Sequence, residues 1–242
     1  MAASFSDITL YISTPYKNDT PEYWEETSLK NFVCDLYVQR MNGYKPPQAT
    51  RITLQPDYYD IWDRTWKNGS IFSIAPLFER EKYEDLDKRG KYQYILDIVH
   101  NSMIQLGEEY KWDRQVFEGA YKEIIESNFS FIINYPSKTS KDKKKQGKLV
   151  IQKTETMTTV YTVIKIGDVS VSRKLFDKRN WFWYDSAYQM ATHNKWLDNE
   201  RFGIQIKKLN FSVWYSLTED KVLFEVNGNV KDEYNLERMF TL

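Results

Sequence analysis

The spacing of apolar residues changes once along the 242-residue chain, and that change constrains the fold more than any other feature. Before Asn128 the period is helical. Leu29, Phe32, Val33, Leu36, Tyr37 and Met41 recur at three- and four-residue intervals, as do Ile95, Ile98, Val99, Ser102, Met103 and Leu106. From Asn128 onward the period becomes two, over residues 129–135, 148–154, 159–166 and 169–174, and again over 202–207, 210–217 and 221–226. Helices first and strands later is the pattern of an α+β protein. The expectation is an N-terminal mixed helix/strand segment with an antiparallel helix pair, followed by a largely antiparallel β-meander packed on the helices. No Gly/Ser- or Pro-rich linker interrupts the chain, so it reads as a single α+β domain over 1–242 with a soft boundary near 128.

Local signals place the first elements. Thr20-Pro21-Glu22 supplies an N-cap, a first-turn proline and a first-turn acid, and Asn42-Gly43 stops the helix that follows. Short strands are expected at 8–13 and 51–54. Residues 56–67 read as a short helix closed by Asn68-Gly69, followed by a strand over 70–75. Gly107 marks the end of the long helix. Asp113 caps the next, whose core face is Val116, Phe117, Ala120, Tyr121, Ile124 and Ile125, so the two form a helical hairpin. Asp185-Ser186 reads as the cap of a helix through Lys195. The triplet Asn-Phe-Ser opens strands at both Asn128 and Asn210, but two such matches do not make a repeat.

Composition excludes several functions. Lys+Arg and Asp+Glu balance at 34 each, so no global field steers the chain to nucleic acid or an anionic membrane. A single cysteine, Cys34, permits no intrachain disulfide and suits a reducing compartment. The N-terminal Met1-Ala-Ala-Ser-Phe-Ser-Asp lacks the basic region and apolar run of a signal peptide. No window approaches the roughly 18 apolar residues of a membrane helix. The expected location is the cytoplasm, where the sequons at Asn18, Asn68, Asn128 and Asn210 stay unmodified.

Candidate sites each carry a plainer reading. The segment 138–148 holds Lys138, Lys141, Lys143, Lys144, Lys145 and Lys148. It can grip phosphates or an acidic partner, or it is a solvated hairpin tip protected by its charge. No aromatic residue is interleaved to stack bases. The aromatic clusters at 58–66 and 181–184 are the most unusual feature, and Tyr58, Tyr59, Trp62, Arg64, Trp66, Trp181 and Trp183 are the partner-binding candidates. Exposed, they are the residue types that dominate interface hot spots; buried, they fill core. Trp62, Arg64 and Trp66 are the first place to look for a partner surface.

Catalytic signals are poor. His100 and His193 are the only histidines, which excludes the common zinc arrangements, and neither a metal nor another cofactor is expected. Asp97 and His100 sit at i, i+3 and can pair, but no Ser or Cys nucleophile stands in recognisable context beside them. Glu79, Glu81, Glu84, Asp85 and Asp87 precede the long helix and read as dipole partners and solvated charge. Cys34 lies deep within a helix and reads as a small core residue. Phosphate-loop, dinucleotide, nucleophile-elbow and zincin motifs are absent.

The profile is similar to that of immunity proteins, which are small, fold-diverse, without catalytic motifs, and act by covering a toxin's active surface. The resulting expectation is a protein-binding module, an immunity or inhibitor protein, acting by contact. The alternatives are an enzyme with an unrecognised site and a nucleic-acid-binding protein using the 138–148 loop. The oligomeric state is left open.

Overall fold

The computed structural model describes residues 5–18, 20–61, 65–180, 186–207 and 210–226. The fold is α+β, with five helices and thirteen strands among those residues. The chain divides into two compact units, Met1–Ser130 and Phe131–Leu242, and the division falls beside the change of sequence period at Asn128.

The first unit begins β1 (Asp7–Leu10), α1 (Pro21–Arg40), β2 (Arg51–Leu54), β3 (Thr65–Asn68) and β4 (Ile71–Ile74). Strands β1, β2 and β4 lie side by side and parallel, and β3 pairs antiparallel with β4 at the edge. Parallel neighbours need a crossover, which α1 provides between β1 and β2. The start of α1 is fixed as its sequence demands, the Thr20 hydroxyl accepting from Tyr23 N–H at 3.3 Å. Its end is fixed by Asn42, in the left-handed region at φ 51°.

A short helix, α2 (Arg80–Glu84), then leads to α3 (Lys88–Tyr110) and α4 (Arg114–Glu126). The Asp87 carboxylate caps α3 by accepting from Gly90 N–H at 2.7 Å, and Asp113 caps α4 by accepting from Gln115 N–H at 3.0 Å. The long helix does not stop at Gly107. It continues to Tyr110 and ends at Lys111, which is left-handed at φ 61°. Gly107 is there for packing, because a Cβ would sit 2.9 Å from the Phe117 ring of α4.

Two further expectations in this unit are corrected. Residues 56–67 are not a helix: one 3-10 turn, Pro56–Tyr58, precedes β3. The Asn68-Gly69 signal belongs to the β3–β4 hairpin turn, since Asn68 pairs with Ile71. Strand β1 also ends at Leu10, earlier than the alternation to residue 13 suggests.

The second unit contains β5 (Phe131–Asn134), β6 (Lys138–Thr139), β7 (Lys145–Lys153), β8 (Met157–Ile166), β9 (Val169–Arg179), α5 (Ser186–Thr192), β10 (Asn194–Trp196), β11 (Arg201–Ile206), β12 (Phe211–Ser216) and β13 (Lys221–Val226). Two antiparallel sheets form, β5-β7-β8-β9 with β6 on β7, and β10-β11-β12-β13. Alternation supplies their shared core, including Leu149 and Ile151 from β7, Val160 and Ile164 from β8, and Phe202 and Ile204 from β11. Gly147 lets the Phe202 ring approach, a Cβ there lying 2.7 Å from it. The helix expected to run to Lys195 stops at Thr192, and Asn194–Trp196 joins the sheet as β10. Asp185 lies outside the described residues. The Asn-Phe-Ser echo has a local cause: Asn128 and Asn210 are both left-handed, at φ 51° and 47°, each shortly before a strand.

Candidate functional site

The carboxyl ends of parallel strands are where open α/β sheets gather their binding loops. In the first unit three segments leave that edge: residues 11–18 after β1, 55–61 after β2, and 75–79 after β4. One cluster of polar groups ties them together. Arg80, which follows the third segment, donates from Nη1 to Glu26 Oε2 at 2.6 Å and from Nη2 to Glu26 Oε1 at 3.3 Å. Its Nη2 also donates to the Ser13 carbonyl at 2.6 Å in the first segment. Ser13 in turn donates from its hydroxyl to Asp57 Oδ2 at 2.6 Å, in the second segment. Phe78 and Tyr83 flank the guanidinium, 5.0 and 5.8 Å from it.

The Glu26 side chain is only 6% exposed and that of Arg80 24%. Fork-on-fork geometry is what makes so buried a pair tolerable, because each partner satisfies the other's desolvated atoms. Lys30, one turn after Glu26, is half-buried and its pKa is lowered, chiefly by burial. Cys34, one turn further on, is buried and its thiol is pushed up to about 12 by desolvation. It is inert core at neutral pH, as its helical position implies.

The segments at this edge also carry exposed apolar side chains. Among the described residues of the first unit, seven large hydrophobics are exposed, and six of them belong to this edge: Tyr11, Trp24, Tyr58, Tyr59, Ile61 and Leu77. Ile61 is 70% exposed and Leu77 53%. Only Ile71 lies elsewhere, at the start of β4. Tyr58 and Tyr59 were legible in the sequence as partner candidates. Trp66 is half-buried on β3. Trp62, Arg64, Trp181 and Trp183 lie outside the described residues.

The lysine segment forms the turn between β6 and β7, and the structure divides its six amines. Lys138 donates to the Asn194 carbonyl at 2.5 Å, and Lys148 donates to Asn134 Oδ1 at 2.9 Å. Lys145 donates to Glu200 Oε1 at 2.7 Å and lies 3.6 Å from Asp142. The Glu200 bond is the main cause of its raised pKa. Lys141, Lys143 and Lys144 point to solvent. An acid, Asp142, sits within the turn, so the segment is a mixed-charge tip.

His100 is part of a polar seam between α1, α3 and α4. Its Nδ1 is 3.0 Å from the Tyr37 hydroxyl, which is 3.2 Å from the Phe117 carbonyl. A carbonyl only accepts, so both bonds form together when Tyr37 donates to Phe117 and His100 Nδ1 donates to Tyr37. The His100 ring stacks on Tyr121 at 4.4 Å. Asp97 does not pair with His100; it accepts from Tyr121 at 2.8 Å and from Gln93 at 2.7 Å. Burial lowers the His100 pKa, against the attraction of Glu118 and Asp97. His193 is exposed. Of the acids at 79–87, Asp87 is the α3 cap and Glu84 lies 3.8 Å from Arg80.

No group of His, Cys, Asp and Glu among the described residues is placed to hold a metal ion. No described helix is long and apolar enough to cross a membrane. No family model, no curated protein and no solved structure matches the chain.

Proposed function

We propose that this chain is a protein-binding module that acts by contact, with the carboxyl edge of the parallel strands in its first unit as the contact surface. The observation that carries this reading is the gathering of Tyr11, Trp24, Tyr58, Tyr59, Ile61 and Leu77 on one edge. Exposed aromatic and aliphatic groups in one patch are the usual mark of an interface. The Arg80–Glu26–Ser13 clamp supports the reading, because segments held before association lose less entropy on binding. Two acids of the edge are committed, Glu26 to Arg80 and Asp57 to the Ser13 hydroxyl. The kind of partner this profile fits is a toxin whose active surface is covered, with the chain acting as a cytoplasmic immunity or inhibitor protein.

The test is quantitative capture from a native lysate. The wild type is expected to retain one protein in near-stoichiometric amount, and the triple variant Tyr59→Ala, Ile61→Ser, Leu77→Ser to retain at least about tenfold less, roughly 1.4 kcal/mol. The triple variant Lys141→Ser, Lys143→Ser, Lys144→Ser is expected to capture as the wild type does. Equal capture by all three chains, or turnover of a small molecule with no protein retained, overturns the proposal.

A further inference from the structure

The sheet β10-β11-β12-β13 of the second unit ends at β13, and among the described residues no strand pairs with the other side of β13. The neighbouring ladders fix where its backbone groups point. Leu217 N–H donates to the Glu200 carbonyl at 2.9 Å, so the odd-numbered residues of β12 turn their backbone groups toward β11. Alternation turns those of Ser212, Trp214 and Ser216 toward β13, where they face Glu225, Leu223 and Lys221. No register shift interrupts either ladder. The N–H and C=O groups of Val222 and Phe224 therefore point outward from the edge.

An exposed edge is a template for pairing, and the other sheet edges among the described residues are blunted. Strands β1, β3 and β5 have four residues each and β10 has three. Strand β9 is long, but its ladder with β8 shifts register beside Val160 and Tyr161, and it exposes Arg173 and Lys174. Strand β13 has none of these devices. It runs six residues, Lys221–Val226, without proline and in register with β12 throughout. Phe224 is 54% exposed, and Val222 and Leu223 are half-buried.

We propose that β13 pairs antiparallel with β13 of a second copy of this chain, about a two-fold axis at Leu223, so that the sheet continues from one chain into the other. The strand's own sequence selects that occupant. With Leu223 opposite Leu223, Lys221 falls opposite Glu225 of the second copy, and Glu225 opposite its Lys221, so both ends are charge-complementary. Val222 falls opposite Phe224 of the second copy, and these are the residues whose backbone groups point outward. Each such pair exchanges two hydrogen bonds. Val222 packs against the buried core of the unit, and Phe224 lies on the same face of the strand. The Phe224 ring of the second copy then covers the flank of Val222. Cations of the adjacent β9 do not oppose the approach, because Arg173 pairs with Asp220 and Lys174 with Asp177. A two-fold contact closes at two chains and does not grow into a fibre. The dimer is independent of the contact surface proposed for the first unit.

The test is sedimentation velocity of the full chain over about a thousandfold range of concentration. The wild type is expected to pass from monomer to dimer, with no larger species. Phe224→Pro removes an outward N–H and leaves the bonds to β12 in place, so it is expected to keep the fold and weaken the dimer at least about tenfold. Lys221→Glu and Glu225→Lys each set like charges opposite one another at both ends, and each is expected to weaken the dimer about tenfold. An equimolar mixture of these two variants is expected to recover association as a heterodimer, because opposite charges again face each other. Mixing alters neither chain, so recovery rules out misfolding, or loss of the Lys221–Glu219 pair within a chain, as the cause of the weakening. Hydrogen exchange locates the contact: the amides of Val222 and Phe224 are expected to slow as concentration rises, while that of Leu223, turned toward β12, is slow throughout. A chain that stays monomeric, a dimer indifferent to Phe224→Pro, larger species that grow with concentration, or variants that fail to recover on mixing overturns the inference. So does a monomeric chain that captures a different protein and loses it in Phe224→Pro, which assigns the edge to that partner.

Discussion

Two regions of this molecule are rich in charge, and they use it in opposite ways. At the carboxyl edge of the first unit, buried Glu26 meets half-buried Arg80 across 54 residues of chain, and the pair ties together segments that carry exposed apolar side chains. At the β6–β7 turn of the second unit, the lysines outnumber their partners, three of them face solvent, and the acid Glu200 is half exposed. Number of charges does not separate the two; the burial of the acid does, Glu26 being 6% exposed and Glu200 48%. A desolvated pair fixes geometry because breaking it leaves an uncompensated charge. A solvated pair adds little, because water replaces either partner.

The sharpest way to break the comparison is to remove one half of the buried pair. Arg80→Ala should cost about 3–5 kcal/mol, read from urea unfolding, because Glu26 is left charged and nearly inaccessible. The double variant Glu26→Leu, Arg80→Met should recover most of that loss, since apolar groups of similar volume replace a buried pair at little cost. A double variant no more stable than Arg80→Ala would show that the geometry of the clamp, and not its charge, does the stabilising.

Smaller effects come from the helix starts. Thr20→Ala and Asp87→Ala should each cost about 1 kcal/mol, because each removes the side chain that satisfies a first-turn N–H. Shallower still is a pH effect in the helix seam. Burial lowers the His100 pKa in the folded state, so the folded chain binds this proton less readily than the unfolded one. Its contribution is therefore complete above the ordinary value near 6.5 and is lost as pH falls through and below it. His100→Gln should flatten that part of the stability profile, measured by unfolding at successive pH values. The smallest effects belong to the lysine turn. Glu200→Gln should change stability by less than about 1 kcal/mol, and Lys143→Ser or Lys144→Ser by no more than about 0.5 kcal/mol. A large loss from any of these would erase the distinction between the two regions.

Much of the scaffold was legible because its signals are local. Thr20, Asp113 and the Asn128 break each act within a few residues, and the sequence shows them directly. Errors arose where one local signal serves two structures. Asn-Gly at 68–69 stops a helix as well as it turns a hairpin, and only the pairing of β3 with β4 decides. Gly107 read as a helix end because its packing partner, Phe117, becomes a neighbour only through the α3–α4 hairpin. The candidate site was half legible. Tyr58 and Tyr59 stood out by composition, whereas Glu26, Arg80 and Ser13 did not, because the bonds joining them span 54 and 67 residues. Both Glu26 oxygens go to Arg80 by two hydrogen bonds, a pairing that no local spacing announces.

The measurement that reaches the central claim most directly is photo-crosslinking in native lysate, with a photoreactive residue placed in turn at positions 59, 77, 144 and 169. The account predicts one protein crosslinked from positions 59 and 77, on the carboxyl edge, and nothing specific from 144 or 169 in the second unit. A protein or nucleic acid crosslinked from 144 or 169, with 59 and 77 silent, would contradict it.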